Sequence, residues 1–75
     1  MITINAMVTV EDMLDCYSDY EELLLTEQHF QEVVNQVRIQ CNGQNSISVD
    51  MIERVINMTL EKLGHSFDYE VKSWV

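Results

Sequence analysis

Four side chains in this sequence could bind a transition metal: Cys16, His29, Cys41 and His65. Structural zinc sites draw their ligands in close pairs, because two residues of one turn reach the same ion without ordering a second stretch of chain. Here the spacings are 13, 12 and 24 positions, so no such pair exists and no metal is predicted. The four read instead as two free thiols and two surface histidines, with Cys41 on an apolar helical stripe. No acid is placed to make His29 one half of an acid/base pair.

Phe30 to Ile52 has the outline of a calcium-binding helix-loop-helix, with Asn42-Gly43 in the loop and Ile47 before the next helix. Placing Ile47 at the eighth loop position makes the ligand positions Gln40, Asn42, Gln44, Ser46, Ser48 and Met51. That set contains no carboxylate, whereas a calcium loop needs several and a bidentate Glu at its end. The sequence also has no glycine-rich phosphate loop and no nucleophile elbow, and 75 residues leave little room for a deep pocket beside a core. Neither catalysis nor a cofactor is predicted.

Charge is the feature that bears on function. Residues 1 to 37 hold eight carboxylates (Glu11, Asp12, Asp15, Asp19, Glu21, Glu22, Glu27 and Glu32) and no Lys or Arg, so nearly all of the net charge of −9 lies in the first half. Phosphate contacts supply much of the affinity for nucleic acid, so a helix-turn-helix reading of the second and third helices, with only Arg54 and Lys62 on the second of them, is opposed by repulsion. An anionic membrane surface is excluded on the same ground. The N-terminus lacks a basic region followed by a long apolar one, no stretch has the length of a membrane span, and the cysteines are too few for a disulfide scaffold. The expected setting is therefore a reducing, cytoplasmic one.

The elements that must carry these charges follow from caps and periodicity. An apolar residue followed by Thr or Ser, with a second apolar residue four positions later, recurs as Val8-Thr9-Met13, Leu25-Thr26-Phe30 and Ile47-Ser48-Ile52. Each is an N-cap with a hydrophobic staple, and three helix starts are predicted from them. The first helix runs from Val10 to about Leu24, with a competing break at Ser18, where Ser18 and Glu21 form a capping box. The second runs from about Glu27 to Cys41, buries Phe30, Val33, Val34, Val37 and Cys41, and stops at Asn42-Gly43. The third runs from Val49 to Leu63, turns Val49, Ile52, Val55, Ile56, Leu60 and Leu63 inward, and ends at Gly64. Alternating residues at Ile2 to Val8 and at Phe67 to Lys72 predict short terminal strands that pair with each other or with another molecule. The fold class is thus mainly α: one small three-helix domain with short N- and C-terminal β-strands.

An unbroken first helix would set Glu11, Asp15, Asp19 and Glu22 in one stripe. Carboxylates four residues apart advance about 6 Å, against a charge about every 3.4 Å along one DNA strand. One stripe reaches about half that density, so Asp12, Glu21, Glu27 and Glu32, or a second stripe from a homodimer, are needed to match it. Tyr20 and Trp74 are the aromatic anchors expected beside these acids, although Tyr17 and Tyr20 also fit a core stripe. The expected function is non-enzymatic. An acidic regulator or inhibitor of the phage or mobile-element kind occupies the basic site of a nucleic-acid-binding protein as a nucleic-acid mimic. The alternative is a small structural or adaptor subunit that self-associates or docks through apolar surface and strand addition at Phe67 to Trp74.

Overall fold

In a computed structural model describing all 75 residues, the chain forms three helices and one small sheet. The helices are α1 (Ala6–Cys16), α2 (Glu27–Cys41) and α3 (Val49–Lys62); a 3-10 turn covers Ser18–Tyr20, and strands β1 (Phe67–Asp68) and β2 (Ser73–Trp74) follow. The fold is mainly α, as the apolar periodicity predicts.

Helix α2 has the predicted bounds because both ends are chemically specified. Thr26 accepts a hydrogen bond from the N–H of His29 and caps the first turn. Asn42 leaves the helical region at the other end, and Gly43 takes φ +86°, which L side chains resist. Helix α3 begins at Ser48, whose hydroxyl accepts from Met51 N–H, and ends one residue before the predicted Leu63. Gly64, at φ +94°, lets the chain turn back so that the N–H of His65 reaches the Leu60 carbonyl and its own N–H reaches that of Glu61. These two bonds close the helix as a Schellman turn.

Helix α1 differs from its prediction at both ends. It starts four residues early, capped by Asn5 rather than Thr9, with the Asn5 side chain accepting from Val8 N–H. Ala6, Val10 and Met13 are its buried residues, a face at helical spacing that begins inside the supposed N-terminal strand. It ends at Cys16, with Tyr17 in extended backbone. The electrostatics favour this early stop. Glu11 and Asp15 repel at i, i+4, the last turn carries Asp15 and no base, and a helix C-terminus already has negative partial charge.

The terminal segments do not pair with each other. Ile2 instead bridges to Gln44 through two backbone bonds, Ile2 N–H to the Gln44 carbonyl and Gly43 N–H to the Ile2 carbonyl, both 2.9 Å. The Asn42 side chain accepts from Ile4 N–H at 2.8 Å. The would-be calcium loop is thus the clamp for the N-terminal segment. At the other end β1 and β2 form an antiparallel hairpin, Phe67 opposite Trp74 and Asp68 opposite Ser73.

The core lies along α2, which packs against both α1 and α3. Val33, Val34, Val37 and Cys41 are wholly buried in it, as are Val10, Ile56 and Leu60 on the facing helices. Fully burying each such aliphatic contributes about 1.5–3 kcal/mol, which is why this run dominates a small domain. Val49, predicted inward, is exposed: as the first residue of α3 it lies outside the contact.

Candidate binding groove

The four residues first considered as metal ligands are divided by the fold. Cys16 is exposed at the end of α1 and Cys41 is buried at the end of α2. Desolvation in that apolar site pushes the Cys41 thiol pKa up. His29 and His65 meet, with Nδ1 of His29 3.0 Å from Nε2 of His65 and the rings nearly perpendicular. The second ring nitrogen of His65 lies 3.1 Å from the backbone oxygen of Val75. That oxygen only accepts, so His65 Nδ1–H donates to it, and one proton lies between His29 Nδ1 and His65 Nε2. The pair is a hydrogen-bonded clasp between the start of α2 and the segment after α3. No three His, Cys, Asp or Glu residues converge on a metal position.

The early end of α1 also disperses the acids. Only Glu11 and Asp15 keep i, i+4 spacing on it, together with Asp12; Asp19 lies in the 3-10 turn and Glu21 and Glu22 in the irregular stretch that follows. Asp19 is half-buried beside Tyr20, and the backbone N–H of Glu22 is held by the Ser73 hydroxyl at 3.0 Å. Glu27 and Glu32 on α2 accept from Gln31 and Gln36, and Glu32 opens on a separate hollow shared with His29 and Lys62. No single stripe contains the eight.

Both expected aromatic anchors are used inside the molecule. Tyr20 is only 2 % exposed, and its hydroxyl donates to Asn57 Oδ1 at 2.7 Å. Burial, with the charges of Glu53 and Asp19 nearby, raises its phenol far above the ordinary tyrosine range. The core half of its double reading therefore describes it. Trp74 is half-buried, packs on the core, and meets the Phe67 ring edge-on at 6.1 Å between centroids. Its strand is already paired on one side with β1, which takes up part of what strand addition would need.

What remains open lies where α1 stops. A groove of about 690 Å³ is formed by the end of α1, the 3-10 turn and the start of α2. Leu14, Tyr17, Leu23, Leu25 and Phe30 give it an apolar lining, and all five are only half-buried. Glu11, Asp15 and Glu21 share its walls, and no Lys or Arg does. The carbonyls of Leu14, Asp15 and Cys16, the last of α1, accept no hydrogen bond within the chain, so the negative end of the helix is open there. Leu24, between two lining residues, is 89 % exposed.

The staple of α2 builds part of this wall, since Leu25 and Phe30 flank the Thr26 cap and both line the groove. The other wall hangs on the hairpin: Ser73, 1 % exposed, accepts from Glu22 N–H and shares its hydroxyl proton between the carbonyls of Asp19 at 3.2 Å and Trp74 at 3.1 Å. The sequence signals the groove only indirectly, through three leucines in a row at a helix junction, and signals neither the Ser73 contact nor the histidine clasp.

No protein-family model, curated protein or solved structure matches this chain. No helix is long and apolar enough to cross a membrane.

Proposed function

We propose that this is a non-enzymatic protein that acts by binding the positively charged surface of another protein. The observation that carries this reading is the set of acids left without cationic partners in the first half. Side-chain hydrogen bonds to carboxylates come from Gln31, Gln36 and the backbone of Glu70 and Val71, and none comes from Lys or Arg. Such a surface opposes folding of α1 by a few tenths of a kcal/mol per i, i+4 pair, a cost that a bound cation removes.

The finer reading, a nucleic-acid mimic, depends on a regular row of charge. With α1 ending at Cys16 the row is two carboxylates long, so support rests on the coarser reading, a basic protein partner. Magnitudes point the same way. An exposed ion pair contributes about 0–1 kcal/mol, whereas burying a Leu or Phe side chain contributes about 1.5–3 kcal/mol. Charge selects the partner and speeds encounter, and apolar surface holds it.

The test is a partner captured by the immobilised chain and measured in purified form against it. Its affinity should fall by tenfold or more between about 0.05 and 0.5 M salt, as exposed charges become screened. Binding indifferent to salt over that range would sink the proposal. Competition of DNA or RNA with the chain for that partner would restore the mimic reading.

A further inference from the structure

We infer that the groove at the end of α1 receives a short segment of the partner in which apolar side chains are interleaved with Lys or Arg. This rests on the reading above and names the chemistry of the ligand. Its lining sorts into two parts that ask for different groups. The half-buried Leu14, Leu23, Leu25 and Phe30 leave apolar area that only another apolar surface can cover. Around them stand Glu11, Asp15 and Glu21.

Two independent sources of negative potential coincide at this place. One is the three carboxylates. The other is the end of α1, where the carbonyls of Leu14, Asp15 and Cys16 lack donors and no basic side chain occupies the last turn. Orphan carbonyls and carboxylates are all acceptors, and Lys and Arg are the side chains that bring several charged donors on a long apolar stem. A guanidinium or ammonium group could bond a carbonyl and a carboxylate together while its stem lies on the leucines.

The same inventory decides against the other occupants. A second copy of this chain carries a net charge of −9, with its four bases outnumbered by thirteen acids, so it would bring mainly like charge to the contact. Nucleic acid and anionic lipid carry the wrong sign. A neutral apolar ligand would cover the leucines but leave Glu11, Asp15 and Glu21 without a counter-charge.

Three synthetic peptides of equal length test this, read through a fluorophore on Cys16, which is exposed in the groove lining. The first alternates Leu or Phe with Lys or Arg, the second keeps the cations but replaces the apolar residues with Ser, and the third keeps the apolar residues but replaces the cations with Glu. Expected is saturable binding of the first, with the other two at least about tenfold weaker. The triple variant Glu11→Gln, Asp15→Asn, Glu21→Gln should lose about tenfold for the first peptide, while Asp50→Asn, Glu53→Gln, Glu61→Gln, on α3, should lose little.

Equal binding of the first and second peptides would overturn the inference and leave the cationic-partner reading intact. Equal binding of the first and third would overturn both, as would failure of both cationic peptides to bind. Circular dichroism confirms that each variant is folded, and amide chemical-shift changes centred on Leu23 to Phe30 in the unlabelled chain give the same answer without the fluorophore.

Discussion

At the scale of single residues, two buried acids set a limit on the pH range of the fold. Both Tyr20 and Cys41 are held in their neutral forms, mainly by desolvation, so their folded pKa values lie above the unfolded ones. The stability they contribute is fully present below the unfolded values, 9.0 for the thiol and 10.0 for the phenol, and is lost as pH rises past them. Thermal melts should therefore be flat from neutrality to about pH 8.5 and fall steeply above about pH 10. Tyr20→Phe should cost about 1 kcal/mol near neutrality by stranding the Asn57 oxygen, and should flatten the alkaline fall. The two thiols should separate under a thiol reagent, Cys16 reacting at once and Cys41 only as fast as the molecule opens. Equal rates would contradict the burial of Cys41.

At the scale of elements, the sequence was read best where local chemistry and core pattern agree. For α2, the Thr26 cap, the Leu25 and Phe30 staple and Asn42-Gly43 all specify the same helix, and both of its ends are legible. At α1 they conflict. Val8-Thr9 imitates a start, but Asn5 caps earlier because Ala6 joins the buried face of Val10 and Met13, a preference set by packing on α2. The break is visible as one of two readings at Ser18, but the capping box does not form: a 3-10 turn without a side-chain cap follows, and the next helix waits until Glu27. What decided it was the tertiary demand of Tyr20, which must turn into the core to meet Asn57 on α3. The groove exists because of that break, so it was as hidden as the break. Opposed effects are expected from two kinds of substitution. Thr26→Ala or Ser48→Ala should each cost about 1 kcal/mol in chemical denaturation by removing a cap. Asp15→Asn should instead stabilise by about 0.3–1 kcal/mol, relieving the negative end of α1. A fold made more stable by losing the charge expected to bind the partner is the usual trade between stability and function.

At the scale of the whole molecule, the groove is lined by one stretch, Glu11 to Phe30, and anchored by residues far along the chain. Beyond α1 the lining lies within residues 17 to 30, and the long-range polar anchors of that stretch are the Asn57 amide, the Ser73 hydroxyl and the His65 ring. Ser73→Ala should leave the helical content unchanged while raising hydrogen exchange at Glu22 and weakening the first test peptide. An equal loss of protection across α2 and α3 would show that Ser73 supports the whole fold and not the wall alone. The loop Asn42 to Gln44 does for the N-terminal segment what the hairpin does for the groove, so a small core is supplemented by backbone clamps at both ends.

The reach of those anchors has a consequence in time. Ser73 holds residues 51 and 54 positions before it. A chain made from its N-terminus, at roughly 5–20 residues per second, therefore exposes its acids and its leucines seconds before the bond that shapes their wall can form. During that interval the nascent chain is an unshaped anionic segment, and a partner that needs the finished groove cannot engage it. The groove takes its final shape when the stretch around Ser73 has folded back onto Asp19 and Glu22.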